Sequence, residues 1–315
     1  MNSVEYLILS SIIDYSTDLI CIELERRDAK YLRLNRDMFA EYDIIYSLSD
    51  AQIEININNS RYFISQQSLK SVFFRAPVFF RGTGKAYSLQ EQLKRSQWSA
   101  FIRNLVIFDK AFWINHPVAT YQAENKMFQL KIAQECGFCV PQTYVGNALP
   151  KNIVPNNTYI VKSLDTALFY ESDKEMFTYS TMISGQELLD AEIKSAPIII
   201  QDYLLGKKDI RVTVVNDETF PIAITNQGNS IIGDWRKHNK EQLEYAPIKL
   251  PPNVEKSIMT LMHKLKLSFG GIDLALVKDK YYFIEVNPTG EWGWLVSKFC
   301  PIDKAIVNCI TGGNE

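Results

Sequence analysis

Residues 270–295 read GGIDLALVKDKYYFIEVNPTGEWGWL, and this stretch decides the fold. Residues 272–277 and 281–286 are rich in β-branched and aromatic types, which favours strands, and Lys278-Asp279-Lys280 between them is turn-like. Folding the ribbon about Asp279 sets Asp273 opposite Glu285, and Asn287 shares the face of Glu285 because side chains on a strand alternate. Two facing carboxylates repel unless a cation lies between them. Hard oxygen ligands of this kind, completed by phosphate oxygens and water, suit Mg²⁺. The plain alternative is a surface hairpin whose acids face water. Against it, Pro288, Thr289 and Gly290 turn the chain and Trp292 and Trp294 follow, so the acids and the amide are set in apolar sequence.

The 315 residues can bury a substantial core and form two or three packed lobes. The 34 Lys and Arg nearly cancel the 36 Asp and Glu, and no long basic tract occurs, so nucleic acid is not an expected partner. The opening MNSVEYLILSSIIDYS has an apolar run but no basic segment before it and no cleavage site, and reads as a strand rather than a signal peptide. No apolar run is long enough to span a membrane, and none is expected as a partner. Cysteines stand at 21, 136, 139, 300 and 309; the one CxxC, Cys136 and Cys139, reads as a helix end running into a strand. Reduced thiols fit a cytoplasmic location. Only His116, His238 and His263 are available for histidine chemistry, and they lie far apart.

Outward from the hairpin, short strands are predicted at 42–48, 52–57 and 61–64, with an Asn-rich turn at 56–59, and a β-rich run at 71–80 carries Arg75 and Pro77. This small mixed α/β lobe should end near residues 81–84. Helices are predicted at 89–108 and 120–135, then strands at 140–146, 158–162 and 177–182. A short helix at 186–193 leads to an extended run at 198–204, and strands at 209–215 and 220–225 pair about residues 216–218. A polar section at 226–244 precedes a helix at 252–267 that starts at a Pro pair, and residues 302–310 form a terminal helix.

Several cationic side chains could serve chemistry. Lys162 ends a strand and could point an ammonium at phosphate oxygens, or be an edge-strand lysine that suppresses aggregation. Lys126 lies in a well-patterned helix and is less distinctive. Asp209 and Arg211 share a strand face, as an ion pair would. Arg236 in its loop could clamp a carboxylate or a transferring phosphoryl group, or simply be solvated. No GxxxxGK[ST], GxGxxG or GxSxG is present, which removes support for P-loop, dinucleotide-binding and serine-hydrolase readings.

These residues fall in the order shown by ATP-grasp ligases. Trp113-Ile114-Asn115-His116-Pro117, Ala123-Glu124-Asn125-Lys126, Gln129-Leu130, Gly137-Phe138 and Val140-Pro141 resemble the ATP-grasp maturases of ribosomally made peptides, the graspetide or microviridin type. Lys208-Asp209-Ile210-Arg211-Val212-Thr213-Val214-Val215, Asp234-Trp235-Arg236 and Ile284-Glu285-Val286-Asn287-Pro288 followed by Gly290, Trp292 and Trp294 resemble the same group. The likeness covers most of residues 71–310. It implies an α/β (α+β) chain with the ATP-grasp fold: an amino-terminal lobe over 1–118, a central lobe over 119–200 and a carboxy-terminal antiparallel-sheet lobe over 201–315, with ATP between the last two. It implies that Lys126 and Lys162 contact nucleotide phosphates, that Gln201, Asp202, Tyr203 and Leu204 form the hinge against adenine and ribose, and that Asp209 belongs with the nucleotide-binding residues. Asp273, Glu285 and Asn287 would hold Mg²⁺, while Arg211 and Arg236, with Lys162, would serve the reacting groups.

The implied reaction phosphorylates an Asp or Glu side chain of a precursor peptide, and a Ser or Thr hydroxyl or a Lys amine of that peptide then attacks, giving an ester or amide macrocycle. Residues 164–182 are the expected lid. Residues 163–179 contain no Gly, unlike the Gly-rich loop of many ATP-grasp proteins, so side chains would replace backbone in cradling phosphates. The leader segment of the peptide is expected near the helix at 89–108, or on the amino-terminal lobe around Arg75, and members of the group often form homodimers. Two alternatives stay open: an ATP-grasp ligase joining an amino acid or small amine to a carboxylate, and a non-catalytic nucleotide- or peptide-binding protein.

Overall fold

The computed structural model describes residues 2–75, 87–165, 168–171, 174–177 and 180–312, the strands Leu168–Glu171 and Lys174–Phe177 by their backbone alone. Pro77, the lobe boundary expected at 81–84 and parts of the expected lid lie outside the described residues. The chain is a mixed α/β protein whose described strands form four sheets of four or five strands and one two-stranded ribbon, Leu168–Glu171 with Lys174–Phe177.

The first sheet is parallel, in the order Tyr31–Asn35, Tyr6–Ser10, Ser71–Phe74, Phe112–Ile114. Alternation along Tyr6–Ser10 sends Leu7 and Leu9 to one face and Tyr6 and Ile8 to the other, and both faces are covered. On the first face lie the hairpins of Asp43–Ser47, Gln52–Ile57 and Ser60–Ser65 and the helix Leu89–Asn104. On the second lie the helices Tyr15–Arg26 and Ile302–Thr311. The Asn-rich turn holds: Asn58 and Asn59 both take positive φ, as a two-residue hairpin turn requires. The helix Tyr15–Arg26 and the strand Tyr31–Asn35 were not read from the sequence. The helix does carry a start signal, because the Asp14 side chain accepts from Thr17 N.

The second sheet is antiparallel, ordered Thr181–Ser184, Thr158–Lys162, Ile198–Asp202, Thr143–Gly146. The third is a five-stranded antiparallel sheet: Leu243–Pro247, Glu218–Asn226, Lys208–Val215, Phe269–Val277, Lys280–Asn287. One face buries Ile210, Val212, Val214, Ile272, Leu274, Phe283 and Val286 against the helices Pro252–Leu265, Pro117–Ala123 and Lys126–Glu135. Each such side chain contributes about 1.5–3 kcal/mol. The other face carries Asp209, Arg211, Asp273 and Glu285.

The single helix expected over 120–135 is two. It breaks at Glu124-Asn125, where the Asn125 amide donates to the carbonyls of Tyr121 and Gln122 and closes the first helix. The restart at Lys126 gives that lysine the first position of a new helix. No described helix is long and apolar enough to cross a membrane.

Candidate active site

The hairpin pairs Asp273 with Glu285, but by a different route from the symmetrical turn expected. Lys278 and Asp279, both with positive φ, form a two-residue turn that pairs Val277 with Lys280. Continued without interruption, that register would set Asp273 opposite Ile284. A bulge shifts it between Asp273 and Leu274, so that Asp273 meets Glu285 and Gly271 meets Asn287. A one-residue slip moves every later side chain to the other face, so the bulge is what brings Glu285 onto the same face as Asp273.

The facing carboxylates are neutralised by the protein's own cations. Lys126 Nζ lies 2.9 Å from Glu285 Oε2, Arg236 Nη1 lies 3.4 Å from Oε1, and the Asn287 amide donates to Oε1 at 3.3 Å. Arg211 Nη1 donates to Asp273 Oδ1 at 3.0 Å. Burial alone would raise the Glu285 carboxyl, but the charges of Lys126, Lys162 and Arg236 outweigh it and hold it far below the ordinary range. Burial raises Asp273 despite Arg211, and the Glu285 charge adds to that rise. Of the two, Glu285 is the firmly ionised one.

Arg236 is a loop arginine with 42% of its side chain exposed, but its head group is anchored. Its guanidinium makes a two-point bridge to Asp234, Nε to Oδ1 at 2.9 Å and Nη2 to Oδ2 at 3.0 Å, and the Asp234 side chain is only 3% exposed. Asp209 and Arg211 do not pair with each other: Lys207 Nζ bonds Asp209, while Arg211 takes Asp273. Burial raises the Asp209 carboxyl to about 6 against the pull of Lys207.

Arg211 is buried in a notch that two glycines make. A Cβ on Gly271 would lie 2.0 Å from Arg211 Nη2, and one on Gly290 would lie 2.4 Å from it. Gly271→Ala is therefore expected to destabilise the fold by about 1–3 kcal/mol by overpacking and to break the Arg211–Asp273 bond. Thermal unfolding checks the first part; an unchanged midpoint would show that the notch has slack.

Lys162 closes the strand Thr158–Lys162, which pairs on both sides, so it is not an edge-strand lysine. Burial lowers its ammonium to about 8, with Glu285 pulling the other way. Together with Ile160, the hinge run Gln201, Asp202, Tyr203 and Leu204, Lys207, Asp209, Asp234, Arg236, Asp273, Ile284 and Glu285, it lines one cleft between the second and third sheets. Lys126, Arg211 and Asn287 join this site through their bonds to the two carboxylates. The buried Gln201 amide donates to Thr143 Oγ1 at 2.9 Å, which fixes the hinge strand to its neighbour. All twelve residues singled out from the sequence thus converge.

The supporting roles of several residues were not read from the sequence. Gln129 donates to Val286 O at 2.8 Å and accepts from Val286 N at 3.0 Å, which pins the Lys126 helix to the hairpin edge beside Glu285. Asn115 Oδ1 accepts from Ser268 N and Phe269 N, and its Nδ2 donates to Phe269 O and Pro288 O, so it clips both ends of the hairpin. Arg75, expected at a peptide surface, has a side chain only 5% exposed and bonds Asp14, Thr289 O, Gly290 O and Glu291 instead. Trp235, Tyr245 and Trp294 cluster, with ring centroids 5.6 and 4.9 Å from Trp294, and with Lys240, Leu243 and Arg236 they wall a second cavity.

Among the described residues no three His, Cys, Asp or Glu side chains are grouped to hold a metal ion. The available set is two carboxylates and an amide oxygen on one face of a hairpin. That donor chemistry fits Mg²⁺, which is held by one or two carboxylates and keeps phosphate and water oxygens for its other positions. The four nearby cations fit phosphate groups.

Residues 173–307 match the RimK-like ATP-grasp domain. The fold resembles the macrocyclase MdnC of Microcystis aeruginosa MRC bound with precursor peptide MdnA, with a TM-score of 0.83 over 98% of this chain and 100% of that one at 21% identity. The chain has the ATP-grasp fold. A Chryseobacterium gregarium RiPP-associated ATP-grasp ligase, in complex with ADP and a leader and core peptide, gives 0.82 over 99% and 97% at 22% identity. D-alanine–D-alanine ligase from Bacillus anthracis, complexed with ATP, shares the fold more distantly, at 0.55 over 98% and 96% with 10% identity. No curated protein matches.

Proposed function

We propose that this ATP-grasp chain is an ATP-dependent peptide macrocyclase. It phosphorylates Asp or Glu side chains of a ribosomally made precursor peptide and joins them to Ser, Thr or Lys side chains of the same peptide. The observation that carries the proposal is the convergence of Asp273, Glu285 and Asn287 with Lys126, Lys162, Arg211 and Arg236 on one cleft between two antiparallel sheets. The whole-chain likeness to two peptide-acting ligases, closer in shape than that to D-alanine–D-alanine ligase, favours a peptide over a small substrate.

The adenine and ribose rest against Gln201, Asp202, Tyr203 and Leu204, with Asp209 beside them, and the phosphates meet Lys126 and Lys162. Mg²⁺, held by Asp273, Glu285 and Asn287, supplies charge neutralisation at the phosphates. Arg211 and Arg236 face the transferring phosphoryl group, where fixed positive charge acts most strongly. A carboxylate oxygen of the peptide attacks the terminal phosphorus and ADP leaves. The hydroxyl or amine then attacks the acyl carbon, loses its proton, and phosphate departs. The aromatic cavity that shares Arg236 gives the peptide a wall next to the reacting carboxylate.

Hydroxylamine tests the first step, because it captures an acylphosphate as a hydroxamate. With ATP, Mg²⁺ and a precursor peptide, an ATP-dependent hydroxamate on an Asp or Glu is expected in place of the link. ADP formation without any peptide hydroxamate would count against a peptide acylphosphate.

Lys162 sets a pH dependence. Below about pH 8 its ammonium is already charged; above it, binding a phosphate requires uptake of a proton. Nucleotide affinity is expected to hold up to about pH 8 and then fall by up to about tenfold per pH unit. Calorimetry in buffers of different ionisation heat should show proton uptake near pH 9. Lys162→Arg, whose charge does not titrate there, should flatten the profile.

A further inference from the structure

Arg75 joins the first sheet to the loop after the hairpin that carries Asp273 and Glu285. Its backbone N continues the strand Ser71–Phe74 by donating to Leu9 O at 3.0 Å. Its guanidinium then reaches more than 200 residues along the chain. Nη1 donates to Thr289 O at 2.9 Å and Gly290 O at 3.3 Å, Nη2 meets Glu291 Oε1 at 2.6 Å, and Nε meets Asp14 Oδ2 at 3.1 Å. Ser16 adds to the clamp: its hydroxyl donates to Glu291 Oε2 at 2.7 Å and accepts from Gly293 N at 3.1 Å. Burial would raise the Asp14 carboxyl, but Arg75 and the hydroxyls of Ser10 and Thr17 hold it below the ordinary range, so the clamp stays charged.

The other side of this loop is the seat of Arg211. Arg211 Nη2 donates to Glu291 O at 3.3 Å, and the missing Cβ of Gly290 leaves the room that Nη2 fills. Residues 289–291 are thus held between two guanidiniums, Arg75 on one side and Arg211 on the other. Asn287 begins the same turn, since Gly290 N donates to its carbonyl at 3.1 Å. Release of the loop would loosen the wall behind Arg211, and with it the Arg211–Asp273 bond and the direction of Asn287.

We propose that Arg75 is a positioning residue for nucleotide-bound metal: from the first sheet it fixes the 289–291 backbone that sets Arg211, Asp273 and Asn287 in place. This rests on the ATP-grasp reading of the cleft. It gives the amino-terminal part of the chain a part in phosphoryl transfer through the protein's own backbone. Lysine cannot replace Arg75, because a single ammonium cannot reach two carbonyls and two carboxylates at once.

The test is ADP binding by calorimetry on the full chain, with and without Mg²⁺, for the wild type, Arg75→Gln, Arg75→Lys and Glu291→Gln. In the wild type Mg²⁺ should tighten ADP binding. In both Arg75 variants that enhancement should fall by about 10–100-fold, the usual effect of removing a partner that orients metal ligands, while ADP alone binds within about threefold of wild type. Glu291→Gln keeps the backbone carbonyls and an oxygen that accepts from Arg75, and should lose less of the enhancement than either Arg75 variant. The milder Arg75→Lys keeps a charge beside Asp14, so the comparison survives if Arg75→Gln fails to fold. Full metal enhancement in a folded Arg75→Lys would overturn the proposal and leave Arg75 a stabilising contact. A wild type that binds no ADP would overturn both this and the nucleotide reading.

Discussion

Glu285→Gln is expected to lower turnover by about 10²–10³-fold, the scale of losing one preorganised charge at a transition state. The substitution keeps the shape of the side chain and the bulge that presents it. It removes the one carboxylate that meets Lys126, Arg236 and Asn287 together and that stays firmly ionised. Three cations, Lys126, Lys162 and Arg236, are then left without their counter-charge. Metal-free ATP should accordingly bind as well as in the wild type or more tightly, because its phosphates supply the missing anion, while the metal-dependent part of binding disappears. Opposite movements of binding and turnover separate this from general damage to the fold. Turnover within threefold of wild type would remove Glu285 from the site.

Arg211→Lys carries the second large effect. A guanidinium facing a transferring phosphoryl group is worth about 10³–10⁵-fold in rate, and the lower end is expected here. The notch left by Gly271 and Gly290 is shaped for a planar fork, and the bond from Nη2 to Glu291 O and that from Nη1 to Asp273 use separate arms of it. A lysine in the same place cannot make both contacts and leaves Asp273 buried without a full partner. A loss of about 3–5 kcal/mol in stability is expected alongside, as when one member of a buried pair is removed. Rates should therefore be compared at saturating nucleotide and well below the unfolding midpoint. Loss of stability with undiminished kcat would make Arg211 a structural counter-ion only.

The meeting of the site residues was legible in the sequence because it is carried by local patterns. The Asp273–Glu285 pairing could be read from two β-rich runs and a polar turn, although the assumed turn was one residue too long and the bulge at Ile284 made up the difference. Nothing in the string FIEVN announces a bulge, which lets Phe283 and Val286, three positions apart, both face the core. Lys162 was visible as the end of a strand, but only pairing on both sides shows that it is interior.

The roles of the residues that hold the site together were not legible, and for one reason. Asn115, Gln129 and Arg75 act on backbone groups that lie more than 150 residues away in the chain. A partner that is a carbonyl leaves no residue type to recognise. The strand Tyr31–Asn35 was missed although buried Leu32 and Leu34 alternate with Tyr31, Arg33 and Asn35 as a strand requires; the Arg33 guanidinium bonds Asp18 and Ser11 O. The polar section at 226–244 concealed the strand Leu243–Pro247 and the aromatic cavity beside Arg236 for a similar reason: Trp235, Tyr245 and Trp294 meet only when three separate segments fold together.

The most direct test of the central claim is the mass of a peptide. The purified protein is incubated with ATP, Mg²⁺ and a short precursor peptide, leader segment included, that carries Asp or Glu together with Ser, Thr or Lys. The account predicts an ATP-dependent loss of one water mass for each link, with no added building block. An unchanged peptide, with ADP formed only when free amino acids or small amines are supplied, would contradict it and make the chain a small-substrate ligase.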